Sequence, residues 1–167
     1  LGLGAQGGRA LPAEGADNVS NVVTATAFLK AFNDGRLQHV GKRVVVVGGG
    51  DTSMDVATVA RRLGHIDNSK PTDWEGAIAG QLAQDAADIS RRQGADVTLT
   101  TVYMMASKQE IEHAESEGIT IMGGWMPVAV LKGADGRANG LRVKQCEAKM
   151  VGGRLDIKPI EGTEKDL

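Results

Sequence analysis

The chain is short of several things, and each shortage excludes something. Its 167 residues include a single cysteine, Cys146, so it can form no internal disulfide and can bind no iron–sulfur cluster on its own. No apolar run approaches the ~20 residues that span a bilayer, and no secretory leader is visible, so a cytoplasmic location is the default expectation. Lys and Arg number 19 against 21 Asp and Glu, a net charge of −2, without a basic patch large enough for nucleic acid. His65 and Asp67 lack a third ligand, so no metal is assigned. Aromatic residues make up only 3% of the chain, and glycine is high at 23, which suits a turn-rich α/β protein built on Val, Ile, Leu and Ala.

The length allows one domain, or one domain and a fragment, with a real core. Because the chain begins with Leu1 and ends on the polar GTEKDL, it is expected to be a piece of something longer.

What is there is organised around Lys42 to Gly64, KRVVVVGGGDTSMDVATVARRLG. Four valines run into three glycines, and a helical pattern starts at once. A continuous apolar run suits a strand buried on both faces, as in the middle of a parallel sheet. In Gly48-x-Gly50-x-x-Ser53, Gly48 allows a tight turn and Gly50 lets a pyrophosphate approach the backbone. Ser53 is small enough for close helix–strand contact. Val56, Val59, Ala60 and Leu63 share one helical face, and Gly64 ends it. The helix then aims its N-terminal amides and positive dipole end at the turn, where a phosphate would sit. Gly48, Gly49, Gly50, Asp51, Thr52 and Ser53 are accordingly the candidate cofactor-binding residues. The competing interpretation is a strand–turn–helix whose glycines serve geometry alone.

Around this unit the chain reads in order. Leu1 to Gly15 is a strand end running into a Gly- and Pro-marked loop, and Asn21 to Asn33 is a helix with Val22, Ala25, Phe28, Leu29 and Phe32 on one face. His65 to Gly94 interrupts the unit with a helix of its own. There Thr72 and Glu75 suggest a capping box, Trp74, Ile78, Leu82, Ala86 and Ile89 an apolar face, and Gly94 a stop. That helix either covers the sheet edge or meets a partner. Asp96 to Tyr103 is the second strand. Ser107 and Glu110 cap a short charged helix ending at Gly118, and Ile119 to Met122 is a third strand. Trp125 to Leu131 leads to a turn at Ala134-Asp135-Gly136. Leu141 to Met150 and Arg154 to Ile160 are antiparallel strands joined at Gly152-Gly153. The expected fold is a Rossmann-like doubly wound sheet with central parallel strands and a C-terminal antiparallel β-meander.

In this order GAQGGRALPAEGADN, ATAFLKAFNDG, VVVVGGGDTSMDVA, VTLTTVY, EGI and IEGTEKDL resemble the NAD(P)H-binding half of the glutamate synthase small-subunit family of FAD-dependent pyridine nucleotide oxidoreductases. Dihydropyrimidine dehydrogenase and transhydrogenase relatives share the arrangement. GGGDTSMD is its most specific piece, and the 65–94 insertion is not part of it. The resemblance implies a dinucleotide domain, residues 21–160, set within a flavin domain. Residues 1–20 would cross from that flavin domain and 161–167 begin the return. It implies hydride transfer from NADH or NADPH to FAD, and electrons passed to an electron-accepting partner subunit. FAD would be held only by the full-length protein, and this fragment alone would be inactive. The cofactors would do the chemistry, and no catalytic residue is assigned.

One position departs from the family. The strand-ending Tyr103 is commonly followed by two arginines that hold the 2′-phosphate of NADPH, and here Met104 and Met105 follow. No acidic residue ends the strand to take a ribose hydroxyl. Lys108 is the nearest cation and Ser107 the nearest hydroxyl, so Tyr103, Met104, Ser107 and Lys108 join the candidate site. The methionines either line an adenine slot or fill the core. Lys108 either meets a phosphate or is a solvated first-turn residue. Two other functions fit parts of the pattern. One is a nucleotide-binding or assembly module without catalysis, working through the inserted helix. The other is a different nucleotide-site enzyme such as a methyltransferase, which an acidic end to the second strand would have favoured.

Overall fold

A computed structural model of the chain describes residues 10–66, 71–80 and 92–167. Its elements in order are α1 (Ala25–Asn33), β1 (Arg43–Val47), α2 (Asp51–Leu63), β2 (His65–Ile66), α3 (Pro71–Ala79), β3 (Arg92–Gln93), β4 (Asp96–Thr101), α4 (Lys108–Ser116), β5 (Thr120–Gly123), β6 (Trp125–Lys132), β7 (Ala138–Val151), β8 (Arg154–Pro159) and β9 (Lys165–Asp166). Among the described residues no helix is long and apolar enough to cross a membrane, and no three His, Cys, Asp or Glu side chains gather as a metal site.

The valine run forms β1, which pairs in parallel with β4, and β4 pairs in parallel with β5. Strand alternation then divides the apolar side chains between two layers. Val44, Val46, Val97, Leu99 and Ile121 join one core with residues of the four described helices, whereas Val45, Val47 and Met122 join a second core with Val130, Leu141 and Val143 of the meander. Both faces of β1 are therefore covered, as its composition demands. Its place is nevertheless at the edge of the three described parallel strands rather than the middle. The described helices share one core, so the meander is what covers the opposite face.

That meander is β6, β7 and a third strand made of β8 followed by β9, both paired antiparallel with β7. Val151 faces Arg154, so Gly152-Gly153 is the two-residue turn expected of a tight hairpin. Described residues of the two segments expected to cross to and from a flavin domain pair with this layer. Glu14 bridges to β6, with its amide on Val128 O and its carbonyl accepting from Val130, and Leu167 exchanges backbone hydrogen bonds with Leu141 of β7.

Several expectations are corrected. α1 starts four residues after Asn21, because the Thr24 hydroxyl caps it by accepting from the Ala27 amide at 3.2 Å. Phe28 and Ala31 centre its buried face, which leaves Phe32 at the margin and 37% exposed. In the insertion, α3 ends after Ala79 rather than at Gly94. Gly80, at φ +74°, takes the left-handed conformation that stops a helix. Trp74, Ala77 and Ile78 pack into the first core, so the described part of this helix is cover; Leu82, Ala86 and Ile89 lie outside the described residues. Glu75 is buried and accepts from Arg137 Nε at 2.8 Å, which ties the insertion to the turn between β6 and β7.

Gly94 is glycine for another reason: a Cβ there would fall 2.4 Å from Arg61 Nη1. From the last turn of α2, Arg61 donates to Glu117 O at 2.8 Å and to Ala95 O at 2.7 Å, joining that helix to the start of β4 and the end of α4. Arg61→Ala leaves both carbonyls without their charged donor and is expected to cost about 3 kcal/mol. Urea denaturation measures it, and a loss below about 1 kcal/mol would mean that water replaces the guanidinium without penalty.

Candidate nucleotide site

The glycine turn is built where β1 meets α2. Gly48 has φ +141°, a conformation other residues rarely adopt, and a Cβ on it would fall 2.3 Å from Ser53 Oγ. Turn and first helical turn are thus in close contact, which explains both Gly48 and a small residue at position 53. Gly50 is the N-cap of α2, extended at φ −100° and ψ 173°, with no side chain to cap the helix. Its carbonyl accepts from the Ser53 and Met54 amides at 2.9 and 3.2 Å. Asp51 and Thr52 stand exposed in the first turn, where the amides of a helix start lack intrahelical partners. A Cβ on Gly50 would meet only Met105 Cε, at an ordinary 3.5 Å. The approach to the helix N-terminus is open because Gly50 has no side chain.

Gly49 is different, because it is buried against the loop that follows β4. A Cβ on it would fall 2.3 Å from Tyr103 O and 2.4 Å from Thr101 Oγ1. Its carbonyl accepts from the Met105 and Ala106 amides at 2.8 and 3.1 Å. Thr101 Oγ1 in turn donates to Tyr103 O at 2.9 Å and accepts from the Tyr103 amide at 3.3 Å. The ends of β1 and β4 are thereby clasped together, at the carboxyl ends of parallel strands where open α/β sheets bind ligands.

The clasp places the residues singled out from sequence unequally. Tyr103 is 39% exposed beside the glycine turn. Met104 turns inward and packs against the first core, so it is core filler, whereas Met105 is 70% exposed and lies next to Gly50. Ser107 caps α4: its hydroxyl accepts from the Glu110 amide at 3.2 Å, and Glu110 Oε2 accepts from the Ser107 amide at 2.7 Å. Hydrogen bonding of the Glu110 carboxylate to Ser107, through its side chain first and its backbone amide second, holds that carboxyl below its usual pKa. Lys108 is almost fully exposed and pairs with Glu112 at 3.4 Å, a solvated first-turn arrangement worth about 0.3–0.5 kcal/mol and easily given up. On the other side of the turn, Thr52 and the Thr26, Leu29, Lys30, Asn33 and Asp34 side chains line an open cleft of about 400 Å³.

Sequence reasoning missed Thr101 and the role of Gly49, and it put Met104 rather than Met105 in the candidate site. A threonine at a strand end, two residues before a turn, is a weak sign of a hydroxyl–backbone bond. Nothing local distinguishes Met105 from Met104.

The sequence pattern of the family described as pyridine nucleotide-disulphide oxidoreductase matches residues 1–152. The chain is 29% identical over 147 residues to the glutamate synthase [NADPH] small chain of Azospirillum brasilense, covering 87% of this chain and 25% of that protein. Among solved structures it is similar to Mycobacterium tuberculosis FprA in complex with NADPH, with a TM-score of 0.61, 15% identity, and coverage of 99% of this chain and 46% of that one. A second structure of FprA, in which a covalent modification of NADP+ was seen, gives a TM-score of 0.58 at 16% identity with the same coverage. The chain spans a quarter of the curated relative and under half of these structures, and at such identities the structural likeness speaks for the fold.

Proposed function

The chain belongs to the pyridine nucleotide-disulphide oxidoreductase family, and from that premise we propose that it is the nicotinamide-dinucleotide-binding part of a flavoprotein. In the whole protein, hydride would pass from NADH or NADPH to FAD and electrons on to a partner subunit. The observation that carries this reading is the open N-terminus of α2, left without a capping side chain by Gly50 and flanked by the clasped loop after β4. The helix start would hold the pyrophosphate through backbone amides of its first turn, and the Tyr103–Met105 loop would face the adenosine half. The nicotinamide supplies the hydride when bound; these residues bind and orient it. The resemblance implies a separate flavin domain, so FAD is assigned to the remainder of the full-length protein. The described part of the inserted helix, α3, commits Trp74, Ala77 and Ile78 to the core, which favours cover over assembly for that part.

Cofactor choice tests the reading. The two positions where the resemblance implies arginines carry methionine, and near a surface each missing cation costs NADPH about 1 kcal/mol, so NADH should bind at least as well as NADPH. Competition titration at matched ionic strength measures the ratio. Met105→Arg, at the exposed position, should shift the ratio toward NADPH about fivefold, more at low salt, with little change in stability. Met104→Arg should mainly destabilise, because it forces a charge against the core. A strong NADPH preference in the unmodified chain, unmoved by Lys108→Ala, would put the 2′-phosphate on other residues. Failure of the folded chain to bind either nucleotide would sink the reading itself.

A further inference from the structure

We propose that Thr101 is a positioning residue for the adenosine half of the dinucleotide, acting through the loop after β4; this rests on the dinucleotide reading above. Thr101 is 3% exposed, so it cannot itself reach a ligand at the surface. Its one hydroxyl engages both backbone groups of Tyr103, donating to the carbonyl and accepting from the amide. The next two amides with hydrogen bonds, those of Met105 and Ala106, are held by the Gly49 carbonyl. The loop backbone is therefore pinned at three amides and one carbonyl, while the side chains of Tyr103 and Met105 remain free at 39% and 70% exposure. An immobile backbone presenting exposed side chains is a preorganised ligand surface, which loses less conformational freedom on binding than a mobile loop.

The neighbouring threonine shows that this is particular to position 101. Thr100 is fully buried and its hydroxyl donates instead to Trp125 O, across to the meander. Against the Thr101 hydroxyl lies Gly49, and the 2.4 Å separation from a Cβ placed there shows that the clasp closes only around a glycine. Thr101 thus couples the end of β4 to the turn after β1. That turn would meet the pyrophosphate and the β4 loop the adenosine. A reduced nicotinamide mononucleotide has no adenosine half to feel the loop.

The test compares Thr101→Val, which keeps the shape and removes the hydroxyl, with Thr101→Ser, which keeps the hydroxyl. NADH, ADP-ribose and reduced nicotinamide mononucleotide are titrated against each, and amide hydrogen exchange is followed in the free chains. Thr101→Val is expected to weaken NADH and ADP-ribose about fivefold, leave the mononucleotide unchanged and speed exchange at the Met105 and Ala106 amides, with Thr101→Ser close to the parent. Equal weakening of all three ligands would make the residue merely structural and overturn the proposal. So would NADH binding that Thr101→Val leaves untouched, which overturns this role alone. A parent chain that binds no NADH overturns the dinucleotide reading and this role with it.

Discussion

Gly49→Ala is expected to cost about 3 kcal/mol of stability, and roughly 6–12 °C in Tm for a domain of this size. The added Cβ would stand 2.3 Å from the Tyr103 carbonyl and 2.4 Å from Thr101 Oγ1. The first of these is backbone, and it is held in place by the Thr101 hydroxyl, so it cannot swing aside as a flexible side chain would. Relief has to come from parting the ends of β1 and β4. That movement would also break the hydrogen bonds from the Met105 and Ala106 amides to Gly49 O. Dinucleotide affinity should fall with it, because the loop and the helix start no longer keep their relative positions. Thermal denaturation and NADH titration read the two effects together. A Gly49→Ala chain that melts within about a degree of the parent would show that the clasp yields cheaply.

One residue further on, the same kind of substitution should act in the opposite way. Gly50→Val is expected to leave the fold in place and abolish dinucleotide binding. The backbone at Gly50 is extended, with φ −100°, which a β-branched residue accepts, and the nearest neighbour of its Cβ would be Met105 Cε at 3.5 Å. Valine is a poorer N-cap than glycine, so a loss of about 1 kcal/mol is expected in stability. The ligand meets a branched side chain where its pyrophosphate has to reach the amides of the α2 helix start. Charge-assisted hydrogen bonds contribute about 1.5–3 kcal/mol each, so losing two weakens binding about a hundredfold or more. Isothermal titration with NADH checks this against a matched urea curve. Unchanged affinity in a folded Gly50→Val chain would remove the ligand from this turn. The pair of substitutions also separates stability from binding: position 49 should move both, and position 50 almost only the second.

The contrast between those two glycines marks how far local pattern reaches. In GGGDTS the spacing of Gly48, Gly50 and Ser53 already identifies a strand–turn–helix with room for a phosphate, and the structure builds that unit. The middle glycine carries no such signal, because its constraint comes from a loop more than fifty residues later in the chain. The methionines teach the same lesson. Met104 and Met105 have the same composition and adjacent positions, yet one fills the core and the other lies beside the turn. The way the loop folds back onto Gly49 decides which is which.

By itself the sequence determined what depends on neighbouring residues: the valine strand, the apolar face of α2, the Ser107–Glu110 capping box and the two-residue turn at Gly152-Gly153. These follow from backbone conformation and periodicity, which act over a few residues. Tertiary structure alone decided the rest. Arg61 reaches a carbonyl 56 positions away and so explains Gly94, which had looked like a helix stop. Glu75 is paired with Arg137, 62 positions away, a partner that no local pattern indicated. β1 keeps both faces covered at the edge of the described parallel strands because an antiparallel meander from the far end of the chain packs on one side of it. A side chain's partner across such separations is set by how the layers stack, and no window of neighbouring residues contains that information.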